Sequence, residues 1–305
     1  MEMFEDKKGI SPGRIIGLGI FFGGQITKKE VSVQSIKHSI QFPDDKTQEL
    51  SQDGEYCIIE DKAHNQPYEV RFHDYEKVYS IPGLYEYLFY ERLKCCSPET
   101  VCRLLEDQVK ESPTDIKNLA VLDLGAGNGM VGQQLRHLGV EAVYGIDIIE
   151  EAAKAVERDR PDIYEDYYVA DLTRMSNSFR EKLKAKEFNC MTTVAALGFG
   201  DIPTKAFGEG FNLLTTPAWI AFNIKEDFLS DEDLTGFCLL IRRMIDAGIF
   251  DVSSRKRYQH RLSIHGKPLY YIAIVGEKKA QIPQEWFNGS ATTKDTSILT
   301  SGDRS

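Results

Sequence analysis

Residues 121–132 read VLDLGAGNGMVG, a short apolar run followed by Gly125, Ala126, Gly127 and Gly129 and then by a segment with helical spacing. Glycines at such a place allow a tight turn and let backbone approach a ligand closely. The helix that follows turns its positive N-terminus on the same spot. A loop of this kind suits a nucleotide-like ligand at the carboxyl edge of an open α/β sheet. The glycines alone do not choose between the pyrophosphate of a dinucleotide and the methionine part of S-adenosylmethionine (SAM). Three carboxylates add to them. Asp123 stands two residues before the first glycine, where it repels a pyrophosphate and attracts an ammonium or a sulfonium; the structural alternative is that it caps the turn by accepting from loop amides. Asp147 ends VYGID, eighteen residues past Gly129, at a strand tip where a carboxylate accepts from ribose hydroxyls. Asp171 stands in VADL (169–172), at the expected tip of the third strand, where it can accept from an adenine amino group while the Leu172 amide donates to a ring nitrogen, and Ile148 is placed to pack on the adenine face.

These residues need an alternating scaffold, and the sequence writes one. Between 118 and 277 strand-like and helix-like stretches take turns: NLAVLDLG, GMVGQQLRHLG, EAVYGIDI, IEEAAKAVERD, EDYYVADL, NSFREKLKAK, FNCMTTVAAL, AFGEGFNLL and AWIAFNI. That order predicts a mostly parallel, doubly wound sheet with helices on both faces. DEDLTGFCLLIRRMIDAG reads as a further helix with Asp231 as cap, Leu234, Phe237, Leu240, Ile241 and Met244 on its apolar face and Gly248 at its end. KRYQHRLSIHG and PLYYIAIVGEKK face each other across His265-Gly266-Lys267 as a terminal hairpin. Upstream, PGLYEYLFYERLKCC has helical spacing, and a second helix opens at Ser97 as N-cap with Pro98 at the first helical position. VSVQSIKHSI, EYCIIE and YEVRF are strand-like and are separated by PDDKTQ and KAHNQ turns. A second glycine cluster, Gly17 to Gly24, lacks a following helix pattern and is read as strand and turn. The resulting division is a β-rich extension over 1–72, a helical lead-in and lid over 73–117, the core domain over 118–286 and a disordered Ser/Thr-rich tail over 287–305.

Composition narrows the function classes. The net charge of −10 disfavours nucleic acid as a partner. The six cysteines form no CxxC pair and no zinc-spaced cluster, so no metal is expected, and free thiols fit a reducing cytoplasm. The chain has no apolar run near the ~18 residues that a membrane span needs. IIGLGIFFGG lacks the flanks of a secretion signal.

DLGAGNG, then GID, then ADL, in this order and spacing, resembles the class I SAM-dependent methyltransferases over roughly residues 85–277. The resemblance implies a seven-stranded, Rossmann-like sheet closed by an antiparallel hairpin, with SAM as cofactor. It implies that Asp123, Gly125, Ala126, Gly127 and Gly129 hold the methionine moiety, Asp147 the ribose with Ile148 beside it, and Asp171 with Leu172 the adenine. The loop VAALGFGDIP (194–203) is similar to that of the small-molecule branch, and no NPPY or DPPY tetrapeptide follows the fourth strand. The expected activity is methyl transfer by in-line displacement to a small-molecule acceptor, with oligomerisation open. The alternatives are a protein-directed methyltransferase, a SAM-binding scaffold without turnover, and a nicotinamide dehydrogenase. The lid is expected from FHDYEKVYSIPGLYEYLFYERL (72–93), and His73, Tyr75, Tyr79 and Asp201 are the candidates on the acceptor side. An aromatic stripe at helical spacing is more often core than site, and Tyr75 and Tyr79, placed ahead of the helix, are the better candidates. No residue is assigned as catalytic; His260 in the hairpin and Lys225 and Glu226 after the fifth strand complete the pool of weak candidates.

Overall fold

A computed structural model of the chain describes residues 39–43, 50–60, 66–230 and 232–288. The second glycine cluster, most of PDDKTQ and of KAHNQ, Asp231 and the tail from 289 lie outside the described residues. The core is a seven-stranded sheet in the order β6-β5-β4-β7-β8-β10-β9. Its parallel part consists of β4 (Ala120–Leu124), β5 (Ala142–Asp147), β6 (Asp166–Val169), β7 (Cys190–Thr193) and β8 (Ala218–Lys225). The long hairpin strands β9 (Phe250–Leu262) and β10 (Pro268–Lys278) close one edge, β10 running antiparallel to both β8 and β9. Six parallel strands, the pattern of a dehydrogenase, are therefore not what this sheet contains.

Helices cover both faces: α3 (Ser97–Lys110), α4 (Met130–His137), α5 (Glu150–Asp159), α6 (Asn177–Lys184), α7 (Thr204–Leu213) and α8 (Phe237–Asp246), with a last turn α9 (Glu285–Asn288). Two buried clusters hold the sheet between them. One joins Leu122, Ile146, Met191, Phe207, Phe211, Phe222 and Phe237; the other joins Val101, Leu105, Val121, Val143, Trp219 and Val275. Odd and even positions of β4 thus feed opposite faces, as the period of a doubly covered strand requires.

The N-terminal residues form a small antiparallel sheet, β1 (Ser39–Gln41), β2 (Tyr56–Glu60) and β3 (Tyr68–Arg71). Cys57, Ile59, Val70 and Phe72 pack from it on Leu84, Leu88 and Leu93 of the segment that follows. That segment holds α1 (Tyr75–Ser80), α2 (Leu84–Glu86) and a wide π-type turn over Tyr87–Arg92. The hairpin is tied to it through the Leu262 amide, which donates to the Leu93 carbonyl at 2.7 Å, and the Cys96 amide, which donates to His260 at 3.1 Å. Arg261 and Glu55 pair at 2.5 Å, both almost wholly buried.

Three local expectations change. Tyr75 and Tyr79 lie inside a helix, α1, rather than ahead of one. Ser97 is the first helical residue of α3 and Cys96 the cap; the Ser97 hydroxyl instead bonds Tyr258 Oη and His260 Nδ1, both at 2.6 Å. Leu234 lies ahead of α8 and is 93% exposed. The start of α8 is held by Asp233, whose carboxylate accepts from the amides of Thr235 and Cys238. A nearby acid that reaches the free amides of a first turn defines the helix start better than an apolar period does.

Candidate active site

A cavity of about 450 Å³ opens at the carboxyl edge of β4, β5 and β7, where the strand order reverses. This is the crevice where open α/β sheets bind ligands, and the volume falls in the range of small-molecule sites. Its floor is the loop Gly125–Asn128. Gly125, Gly127 and Gly129 have φ of 73°, 53° and 87°, which side-chain-bearing residues rarely adopt. Gly127 is also restricted from above, because a Cβ there would come within 2.5 Å of Tyr79 Oη. The Gly125 and Ala126 amides are used up on the Ile146 carbonyl. The Gly127 amide donates to Asp147 at 2.9 Å, so the acid at the tip of β5 holds the loop in shape.

Each predicted cofactor residue can now be placed. Asp147 accepts from Gly127 with one oxygen and from Ile149 with the other, leaving a lone pair on each for a ligand hydroxyl. Burial raises its pKa from the ordinary carboxylate value. Ile148 lines the cavity and is 61% exposed, an apolar side chain that a flat ring would cover. Asp171 lies two residues past the end of β6 and caps a short 3₁₀ turn; one oxygen accepts from the Thr173 amide and hydroxyl, which holds its pKa down, and the other is 3.7 Å from Arg174. Leu172 lines the cavity beside it.

Two of the predicted residues do not line the cavity. Gly129 is the left-handed turn that starts α4. Asp123 is fully buried under the floor, and its oxygens accept from Tyr164 Oη at 2.7 Å and Thr192 Oγ1 at 2.8 Å rather than from loop amides. Burial raises its pKa to about 6, against the lowering effect of both hydroxyls. A carboxylate so placed acts on a ligand through its field, not by contact.

The acceptor-side candidates converge. His73, Tyr75, Tyr79 and Asp201 all line the cavity, with Tyr85 and Tyr90 from the next segment. The tyrosine rings form a wall: Tyr75 and Tyr79 stack at 5.9 Å, and Tyr79 and Tyr85 meet at 5.1 Å. Of the same aromatic stripe, Phe89 is core together with its neighbour Leu88, so both readings of it hold for different faces. His73 Nδ1 lies 3.4 Å from Asp201 Oδ2. The weaker candidates separate from the site. His260 is buried, stacked on Tyr271 at 4.0 Å, and desolvation keeps it neutral by lowering its pKa well below normal. Lys225 pairs with Asp227, and Glu226 with Arg257, on a solvated turn.

Sequence reasoning missed two devices. Glu86 accepts from Asn128 and from Arg160, both at 2.8 Å, and Arg160 also donates to the Asn128 carbonyl. This clamp ties the lid to the glycine loop; the only trace in sequence is an arginine at the end of a predicted helix. In the loop after β7, Ala195 has φ 56° and Phe199 φ 52°. Such backbone costs energy and persists where surroundings enforce it; buried Asn223 does so by accepting the Ala195 amide at 2.6 Å.

The arrangement fits an adenosine ligand with an aminoacyl end. It offers one acid at the tip of β5 and one just past β6, an uncovered apolar side chain between them, and a glycine cradle that a Cβ would fill. Residues 122–222 match a family model described as a methyltransferase domain. No curated protein matches the chain. Among solved structures, the chain is similar to the N-methyltransferase NodS of Bradyrhizobium japonicum in complex with S-adenosyl-L-homocysteine, at 12% identity over 68% of this chain and 98% of that one, with a TM-score of 0.47. It is similar to the magnesium protoporphyrin IX methyltransferase of Synechocystis with bound SAH, at 14% identity over 60% and 83%, TM-score 0.42. It is also similar to the ribosomal protein L11 methylase of Lactobacillus delbrueckii, at 15% identity over 61% and 82%, TM-score 0.39. Residues 122–222 thus carry a methyltransferase domain, laid on a seven-stranded, Rossmann-like sheet. No helix among the described residues is long and apolar enough to cross a membrane, and no group of metal-ligating side chains is found among them.

Proposed function

We propose that the enzyme methylates a small molecule, which enters between the glycine loop and the tyrosine wall. The observation that carries this reading is the shape of the acceptor side. The main cavity shares His73, Tyr75, Tyr85, Ala195 and Asp201 with a second cavity of only about 30 Å³, walled by the N-terminal segment and the hairpin. A space so small takes a functional group and not a strand or a folded surface. The net charge of −10 also works against a nucleic-acid acceptor.

In this reading Asp147 accepts from the ribose hydroxyls, Ile148 covers one adenine face, and Asp171 with the Leu172 amide reads the adenine edge. Gly125–Asn128 admits the aminoacyl end, and buried Asp123 supplies the negative field under it. Bound SAM supplies an electrophilic methyl group on a sulfonium sulfur. The protein holds the nucleophile in line with that methyl and keeps water out, a contribution of up to about 7–11 kcal/mol in ideal cases. The N-terminal sheet shapes the acceptor end, and six free cysteines suit a reducing, cytoplasmic compartment.

Calorimetry with SAM, S-adenosylhomocysteine and NAD tests the cofactor residues. The expected result is binding of the first two, lost in Asp147→Ala and absent with NAD. Incubation of a cell extract with methyl-labelled SAM tests the acceptor. Label in the small-molecule fraction is expected; label confined to protein or RNA overturns the small-molecule reading.

A further inference from the structure

The junction of the two cavities holds a histidine and a carboxylate, and nothing assigned so far uses them. His73 lies two residues past the end of β3. Its neighbours are pinned, Phe72 by its amide to the Glu55 carbonyl at 3.0 Å and Asp74 by its amide to the Arg71 carbonyl at 3.0 Å. Its ring is held edge-on by Phe199 at 5.3 Å and tilted against Tyr75 at 5.6 Å. Asp201 comes from the opposite side, in the strained loop after β7, its amide turned back to the Gly198 carbonyl at 3.1 Å. The two side chains are 19% and 25% exposed, accessible from the cavities but out of bulk water.

A carboxylate at Nδ1 fixes the tautomer that leaves Nε2 as proton acceptor. The 3.4 Å separation is long for a hydrogen bond, as catalytic pairs without ligand commonly are. Of the other charges around the junction, Arg261 is neutralised by Glu55 and His260 is held neutral, while Asp147 faces Asp201 as a like charge and Asp53 faces His73 as an opposite one. A receptor for the rest of the acceptor is present too. Gln52 lines the small cavity and donates to Tyr271 Oη at 2.8 Å, while its buried Oε1 lacks a hydrogen-bond partner among the described residues. An unpaired buried acceptor of this kind suits a ligand that brings a donor.

Resting on the methyltransferase reading above, we propose that His73, oriented by Asp201, is the base of the reaction and that the acceptor is a small alcohol or phenol. The acceptor oxygen forms the new O–C bond as the S–C bond breaks. The bonding pair goes to sulfur, and the hydroxyl proton goes to His73 Nε2 and then to solvent. An amine in its free form needs no such base; a hydroxyl does.

The test uses the full chain saturated with S-adenosylhomocysteine and 4-nitrophenol as probe, because the anion of that phenol is yellow and the phenol is not. At a pH below the probe's own pKa, the wild type is expected to bind it as the anion. His73→Gln should lower the bound anion at least tenfold and Asp201→Asn severalfold, while the dissociation constant for S-adenosylhomocysteine stays within about twofold in all three proteins. An equal anion band in His73→Gln, or no binding of 4-nitrophenol, phenol or catechol to the wild-type complex, overturns the proposal. Failure of the wild type to bind S-adenosylhomocysteine removes the methyltransferase reading itself and is read separately, before any phenol is added.

Discussion

Asp123 is a fully buried carboxyl under the floor of the site, and replacing it with asparagine exposes what its burial costs. Its carboxyl is fully buried, accepts two neutral hydroxyls and has no cation among its influences; the neighbouring Asp147 charge works against it. Its pKa rises from an ordinary 3.8 to about 6 in the fold. Between those values the folded protein keeps a proton that the unfolded chain has already lost. Stability from this group is therefore fully present below about pH 4 and is lost as pH rises through 6. At about 1.4 kcal/mol per pH unit the loss comes to about 3 kcal/mol. Asp123→Asn keeps the shape and the capacity to bond Tyr164 and Thr192, whose hydroxyls can rotate, and it has no charge to bury. Urea unfolding of both proteins at pH 4.5, 6, 7 and 8 measures the difference. The variant should gain on the wild type between the lowest and the higher values, by about 2–3 kcal/mol, and then run parallel to it. In exchange it should bind SAM at least tenfold more weakly, since the negative field under the aminoacyl end is gone. A stability difference that does not change with pH would refute the reasoning, because it would mean that the fold compensates the buried charge and leaves the Asp123 carboxyl at its ordinary pKa.

Three further outcomes follow from the same geometry. Gly127→Ala, at φ 53° with a Cβ 2.5 Å from Tyr79 Oη, should displace the lid and lose S-adenosylhomocysteine binding at least tenfold by calorimetry while the far-ultraviolet dichroism stays the same. Glu55→Gln leaves Arg261 buried without its partner and should cost about 3–5 kcal/mol in denaturant unfolding; replacing both by methionine should recover most of that, and a single-variant cost below about 1 kcal/mol would show that the pair is solvated. Arg160→Met cuts the clamp between Glu86 and the glycine loop, so hydrogen exchange should speed up across residues 75–92, and the affinity for S-adenosylhomocysteine should fall.

The sequence by itself determined the sheet and the glycine loop at its carboxyl edge. Alternating apolar periods of two and 3.6 placed β4 to β8 and their helices, and glycines at positive φ have few substitutes, so the loop was legible. Asp147 was legible because a strand tip is a local feature; Asp171 falls two residues past its strand, as the cap of a 3₁₀ turn. Asp123 was visible as an acid in the right place, but its surroundings were not: Tyr164 and Thr192 come from 41 and 69 residues away. Local rules also misplaced the start of α8, where Asp233 reaches back over a turn that no periodicity records. Only the tertiary structure decided the acceptor side. His73 and Asp201 are separated by 128 residues, and Glu55 and Arg261 by 206, and each pair meets because the N-terminal sheet and the hairpin pack around the same end of the core. Spacing along a chain predicts what shares a strand or a helix face; which distant loops are brought together depends on how the hydrophobic faces dock, and that is settled by the whole core at once.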